Sequence, residues 1–317
     1  MVAATFSRIL RHETILAVLL VAALIVLAAQ SEHFFTGDNL LNQGRLMTEV
    51  GLIALPMTFV IVTGGIDLSV GSIFGFCAIL LGVFWQNVGL PLPLAMVCAA
   101  LVGALAGLGN GIIITRFRVP PLIATLATLA LYRGLAEGIS QARSVRGYPD
   151  WFFRLGQGDV LGVPTQLWLL FVFAILAAVL LGLTTFGRTV YAMGANEVAA
   201  RFSGLNVDRA KLLIYTGSGL ISGLAAVIFV SRVSTTRSDM GTGIELDVIT
   251  AVVLGGTSIF GGRGSIAGTA LGLILMQALK NGLALSGVKG DGTIVVIGAV
   301  LIAAILLGNI LSRNGDG

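Results

Sequence analysis

Charge is scarce in this sequence. Only 11% of its 317 residues are Asp, Glu, Lys or Arg, against about 25% in soluble domains. With 56% hydrophobic residues and a mean hydropathy of +0.99, the chain cannot cover a water-facing exterior, which excludes a soluble globular protein. Histidine and cysteine are also short. His12 and His33 are isolated, and His12-Glu13 lacks the second histidine of a zinc-binding HExxH. Cys77 and Cys98 lie in apolar runs without CxxC or Cys/His spacing, so neither a disulfide framework nor a metal site is expected. No GxSxG elbow is present. The chain is not expected to be an enzyme or to hold a cofactor. With only 7 prolines it is not a proline-rich disordered chain either.

Apolar runs and glycine are what the chain has. Its 43 glycines suit helices that approach closely in lipid. Runs of roughly 17–25 residues, the length that crosses a bilayer, fall at 14–29, 46–62, 66–85, 92–115, 121–139, 166–185, 212–230, 246–260, 266–285 and 293–311. The expected fold is an all-α polytopic membrane protein with about ten transmembrane helices in one domain, 1–317. Glycine pairs mark the third, eighth and ninth runs as broken or re-entrant. Arg8 and Arg11 before the first run also fit a secretory signal. The long leading segment, the weak cleavage site and the later spans favour an uncleaved helix.

An even number of spans puts both termini on one side. That side collects Arg8, Arg11, Arg116, Arg118, Arg188, Arg201, Arg209, Lys211, Arg263 and Arg313 against Glu13, Glu197, Asp208 and Asp316. Basic loops stay in the cytoplasm, so the termini are expected there. The net charge of +4 reflects this asymmetry and does not imply nucleic-acid binding.

Inside the apolar "VIVTGGIDLSVGSIFGF" stands a carboxylate, Asp67. A charge at the centre of a lipid-facing helix costs roughly 2.5–3.5 kcal/mol on insertion scales. Gly64 and Gly65 break the helix, and Asp67 can cap the next one by accepting backbone N–H groups. We read Asp67 as holding a shape, not relaying a proton. Polar residues at membrane depth are candidates for a path carrying a neutral solute: Asp67, Ser69, Ser72, Asn110, Thr125, Thr128, Gln277 and Asn281. Serine and threonine in such helices commonly bond their own backbone instead. Tyr132 and Arg133 are read as marking the end of the fifth span. Outside, loop 141–164 is aromatic, with Tyr148, Trp151, Phe152 and Phe153, and suits the membrane surface. Loop 231–247, with Arg232, Arg237 and Asp239, has mixed charge suited to docking. The glycine-rich 254–268 lacks the GK[ST] ending of a phosphate loop.

The informative soluble stretch is a loop at 186–211. Asn196 is a good N-cap, Glu197 suits the positive end of a helix, Ala199 and Ala200 favour helix, and Gly204 fits a left-handed stop. A two-turn helix over about 197–203 follows, too short to stand alone in water. Either the ends of the spans or a partner must hold it.

Glu197-Val-Ala199-Ala200-x-x-x-Gly204 resembles the "EAA…G" coupling motif of bacterial ABC importer permeases, with Val198 as an extra residue. Stretch 187–211, "TGGIDLSVGS" at 63–72 and "ITAVVLGGTSIFGGRGSIAGT" at 249–269 resemble blocks of the monosaccharide permease family. That family includes the ribose, xylose, arabinose, galactose, rhamnose and autoinducer-2 systems. The resemblance runs from 42 to 307, and "SRVSTTRSDMG" and "IALP" lean towards the autoinducer-2 and rhamnose members. It implies a permease subunit in the bacterial inner membrane, carrying a monosaccharide or autoinducer-2. It also implies a second permease subunit, identical or paralogous, and two copies of an ATP-binding subunit, where ATP is hydrolysed. These would dock on the coupling helix at Asn196, Glu197, Ala199, Ala200, Arg201 and Gly204. A periplasmic sugar-binding protein would dock on the other side, near Arg232, Arg237 and Asp239. The alternative is a stand-alone secondary transporter of a small polar solute. That requires a relay of buried carboxylates or histidines, and only Asp67, Glu49 and Glu137 offer themselves.

Overall fold

The computed structural model describes residues 2–288, 290, 292–299 and 302. In chain order its helices begin with α1 Val2–Gln30, α2 Gly37–Val62, α3 Val70–Gly82, α4 Leu92–Arg116 and α5 Pro121–Ser140. A π-helical turn, Val83–Asn87, continues α3. Then follow β1 Val145–Arg146, α6 Asp150–Gln157, β2 Asp159–Val160, β3 Val163–Pro164, α7 Thr165–Leu183, α8 Thr185–Ala195 and α9 Glu197–Phe202. The chain continues through α10 Val207–Val233, β4 Thr235–Thr236, α11 Ile244–Leu254 and α12 Ile266–Leu285. The short strands form two ribbons, β1 with β4 and β2 with β3.

Among the described residues, 7 helices are long and apolar enough to cross a membrane: α2, α3 with its π turn, α4, α5, α7, α10 and α12. The chain is a polytopic all-α membrane protein. α1 contributes a shorter apolar stretch, Leu16–Ala29. Of the tenth run, residues 293–299 and 302 are helical and the rest, with Arg313 and Asp316, lie outside the described residues.

The eighth run does not form a full span. α11 has 11 residues, about 16 Å at 1.5 Å per residue, half of a hydrocarbon core about 30 Å thick. Contacts with α12 place it. Lys280 Nζ reaches Asp247 Oδ2 at 2.6 Å, Gly272 lies against the Ala251 carbonyl, and Gly268 lies against that of Gly255. α11 therefore pairs with the first three-quarters of α12 and begins inside the bundle.

The chain reaches that point by an unexpected route. After β4 pairs with β1, segment 236–241 descends, non-helical, along glycines of α3. Thr236 lies by Gly82, the Met240 carbonyl by Gly75, and Gly241 by Gly71. A β-carbon at any of these α3 positions would collide with its neighbour. Loop 231–247 is thus only partly an outer loop; Met240 and Gly241 are buried. Irregular backbone at depth survives only where protein or a water-filled cavity surrounds it. Arg133 meets this need. Its Nη1 donates to the carbonyls of Ser238 (3.2 Å) and Met240 (2.8 Å), while the Tyr132 hydroxyl donates to Ala106 O at 3.0 Å. This corrects the reading of both residues as the end of the fifth span. They sit mid-helix, and α5 continues to Ser140.

α10 crosses α4 at backbone contact. Gly103 faces the Gly219 carbonyl, Gly107 the Tyr215 carbonyl, and Gly223 the Ala100 backbone. In lipid, apolar surface gains little by leaving the solvent, so close van der Waals contact of this kind carries association. We expect Gly107→Val to cost at least the roughly 1–3 kcal/mol of an overpacked core site, seen as a lower melting temperature in detergent. Gly134→Ala, where nothing lies within 4 Å, should be neutral or stabilising by up to about 1 kcal/mol, the helix preference for alanine.

Candidate functional site

The helix expected in loop 186–211 forms with its expected caps. Asn196 is extended (φ −164°) and its Oδ1 accepts Ala199 N–H at 2.9 Å. α9 covers Glu197–Phe202, and Gly204 takes φ +80°. The preceding α8, capped by Thr184 Oγ1 accepting Gly187 N–H at 3.2 Å, was not legible because its residues, TFGRTVYAMGA, carry weak helix preference. What holds α9 is α10. Lys211 Nζ donates to Glu197 Oε2 at 2.7 Å, Arg201 Nη2 to Glu197 Oε1 at 3.0 Å, and Arg201 also binds Asp208. Ala200 is buried and Ala199 exposed. Partial burial pushes the Glu197 carboxyl up, but the hydrogen bonds and charges of Lys211 and Arg201 outweigh this and hold it below its ordinary value.

Behind α9 the three glycine-bearing blocks meet. Gly262 N donates to Val62 O at 2.8 Å, closing the end of α2. Gly194, in the last turn of α8, is packed against Val62 O and Gly262 N, and Gly261 against Gly194 O and Gly64 N. Gly64, Gly261 and Gly262 have φ of +79°, +85° and +74°, a region that disfavours side chains. Tyr191 OH of α8 donates to Gly264 O at 2.7 Å. α8, which runs through Asn196 directly into α9, is thereby joined, backbone to backbone, to the break between α2 and α3.

The break itself is a buried polar cluster. Asp67 Oδ1 accepts Ser69 N–H (3.0 Å) and Ser69 Oγ–H (2.6 Å), and its Oδ2 accepts from Ser218 Oγ (3.2 Å). Asn110 Nδ2 donates to Ser69 Oγ at 2.8 Å, and Ser72 Oγ donates to Ser69 O at 2.8 Å. Thr125 Oγ1 accepts Leu68 N–H at 3.2 Å and lies 3.1 Å from Ile66 O. Helices α4, α5 and α10 thus each give a side chain to the unwound segment. Thr125 lies early in α5 and Asn110 late in α4, so the break sits at the end of the bundle that carries α9. Asn110 Oδ1 and Tyr215 OH are buried there without a protein partner.

The other predicted path residues lie elsewhere. Thr128 bonds its own helix, at Ala124 O (3.1 Å). Gln277 Nε2 donates to Gln43 Oε1 (2.7 Å), and Gln43 Nε2 donates to Asn281 Oδ1 (2.9 Å), tying α12 to α2 near the opposite end. Of the docking candidates, Arg232 is half-buried: its Nε donates to the buried Glu49 Oε1 at 2.8 Å, and its guanidinium lies 5.0 Å from the Phe229 ring centre. Arg237 and Asp239 are exposed and pair with each other. Ser218, Tyr215 and Gln43 were missed, and Arg133 was placed at a span end instead of mid-helix. Only Arg133, a charge inside an apolar run, carried a signal. Among the described residues no group of three or more His, Cys, Asp or Glu could hold a metal.

Comparison with known proteins was then decisive. Residues 39–305 match the family described as branched-chain amino acid transport system / permease component. The autoinducer 2 import system permease protein LsrD of Escherichia coli (strain K12) is 38% identical over 300 residues, covering 93% of this chain and 91% of that protein. The ribose import permease protein RbsC of the same strain is 39% identical over 311 residues, covering 96% and 95%. LsrD of Shigella flexneri is likewise 38% identical over 300 residues. No solved structure matches at a significant level.

The Glu197 pairing has a pH consequence. A carboxyl held below its ordinary 4.5 stabilises the loop above that pH, and the contribution is lost as pH falls through the lowered value. Amide exchange at residues 199–205, corrected for intrinsic chemistry, should be flat from about pH 8 to 5 and accelerate below about 4. Glu197→Gln should shrink the acid step, the remainder belonging to Asp208, whose carboxyl the hydrogen bond from Arg201 likewise holds below its ordinary value.

Proposed function

Because the chain belongs to the family of branched-chain amino acid transport system permease components, we propose that it is the transmembrane permease subunit of an ATP-driven ABC importer in the bacterial inner membrane. Its cargo is a monosaccharide or autoinducer-2. The family carries the name of an amino-acid system, but the relatives matched over more than nine-tenths of the chain import ribose and autoinducer 2. In this reading a second permease subunit completes the path, two ATP-binding subunits dock on the cytoplasmic face, and a periplasmic binding protein delivers the solute.

The reading keeps about ten apolar runs at membrane depth, the eighth as a half-span, with both termini in the cytoplasm. On α1, Glu13 accepts a hydrogen bond from Ser265, the N-cap of α12. This contact supports a first span that starts on the same side as the coupling loop. The observation that carries the reading is the joint between α8, which leads directly into α9, and the α2–α3 break, since an importer must pass motion from an ATP-binding subunit to its path. A neutral polyhydroxylated solute needs hydrogen-bond partners without a fixed counter-charge, and the amides, hydroxyls and single carboxylate at the break are of that kind. A proton relay finds less support: Glu49 is taken up by Arg232, and Asp67 by two serines.

Glu197→Lys and Gly204→Val should each abolish uptake while leaving the protein inserted. The first reverses the charge that Lys211 and Arg201 hold. The second forces a β-branched residue to φ +80°, at a cost of at least roughly 1–2 kcal/mol. Solute-stimulated ATPase activity in vesicles holding the full importer is the measurement, and unchanged coupling in both variants would remove the loop from this role.

A further inference from the structure

We infer that a polar cavity at the end of the bundle opposite α9 is a station for the solute, seating one neutral ring of monosaccharide size before it enters the path. The inference rests on the importer reading above, in which this end faces outward. Asn87 ends the π turn that continues α3, and Ser140 ends α5, whereas the break near α9 lies at the start of both helices. The cavity between them holds about 230 Å³. That is below the roughly 300–1,000 Å³ of drug-sized sites, so it takes a single small ring and no stretch of peptide. Its floor is formed by Ile79 and Thr236, both buried, and by the half-buried Val83. Its rim is polar, with Asn87, Gln141 and Arg143 all exposed. None of these three side chains is hydrogen-bonded or ion-paired to another described residue.

The backbone is bent to build that rim. After Ser140, Gln141 and Ala142 take φ of +48° and +58°, two successive residues with side chains in a region that disfavours them. Arg143 N–H returns to Ser140 O at 2.8 Å, which folds the chain over the helix end and leaves Arg143 at the cavity. On the α3 side the π turn supplies Val83 and Asn87, its first and last residues. Disfavoured backbone and π turns gather at ligand sites, where the surrounding structure holds them. The chemistry selects the occupant. A sugar ring is apolar on its C–H faces and polar around its edge. The apolar part of the floor suits the first, and the rim suits the second: the two amides donate and accept, and the guanidinium donates. Hydroxyls use donors and acceptors alike, whereas an anion would leave the amide oxygens facing it. From Thr236 in the floor, segment 236–241 leads down to Met240, held by Arg133 about two turns along α5 from Ser140. The station stands at the head of the irregular backbone that enters the bundle.

The test uses the assembled importer in lipid nanodiscs, without its binding protein. D-ribose, D-xylose, L-rhamnose and autoinducer-2 are added in turn, and saturation-transfer NMR reads contact between ligand protons and the protein. Contact is expected for at least one of them. Asn87→Ala and Arg143→Ala should each weaken it by about three- to tenfold, with melting temperatures unchanged. Arg154→Ala, an exposed position on α6, should leave it as it was. Displacement by inorganic phosphate or acetate overturns the neutral-ring assignment, and contact that survives both substitutions overturns the site. Absence of contact from all four, in an importer that still takes up one of them, overturns the station and leaves the importer reading intact. So does capture of the binding protein by a photoreactive residue at position 143 without any sugar contact, which makes the cavity a docking pocket. A complete importer that takes up none of the four overturns both.

Discussion

A peptide group in hydrocarbon has no water to bind, and each one left unpaired costs several kcal/mol. The organisation of this protein follows from that constraint at the two places where its helices are interrupted. Between α2 and α3 the unwound residues are supplied by Asp67, Thr125, Asn110 and Ser218, drawn from the break and the three helices around it. Before α11, the carbonyls of Ser238 and Met240 receive the Arg133 guanidinium. Charged and polar side chains at depth are here the means by which irregular backbone is kept inside the bundle.

Glycine supplies the complementary half of the construction. Where side chains provide donors and acceptors, glycines remove bulk so that segments touch: α3 against the descending strand, α4 against α10, and the knot of Gly64, Gly194, Gly261 and Gly262 behind the loop helix. The knot packs three segments, far apart in sequence, against one another at the end of the bundle that carries α9. The ion pairs fix α9 to α10, and the backbone joint fixes the preceding α8 to the helix break.

Element by element, legibility in the sequence tracked how local the determining interaction was. Asn196 and Gly204 define α9 through contacts within a few residues, and its caps were readable. The spans from α2 to α7 follow from apolar length alone. Arg133 and Tyr132 were misplaced because their partners, Met240 and Ala106, are 107 and 26 residues away. The path candidates Gln277 and Asn281 separated from Asp67 for the same reason, since only packing shows that their partner is Gln43.

Composition and hydropathy by themselves determined that this chain is a polytopic membrane protein, because too little charge leaves no other solvent. Short-range rules determined the capped loop helix and the helix break at Gly64-Gly65. Tertiary structure alone decided that the eighth apolar run is a half-span entered from within the bundle. It also decided that Arg232 faces Glu49 and that Asn87 and Arg143 rim one cavity. Those outcomes depend on which backbone group or charge lies opposite across the bundle, and spacing along a chain carries no record of that.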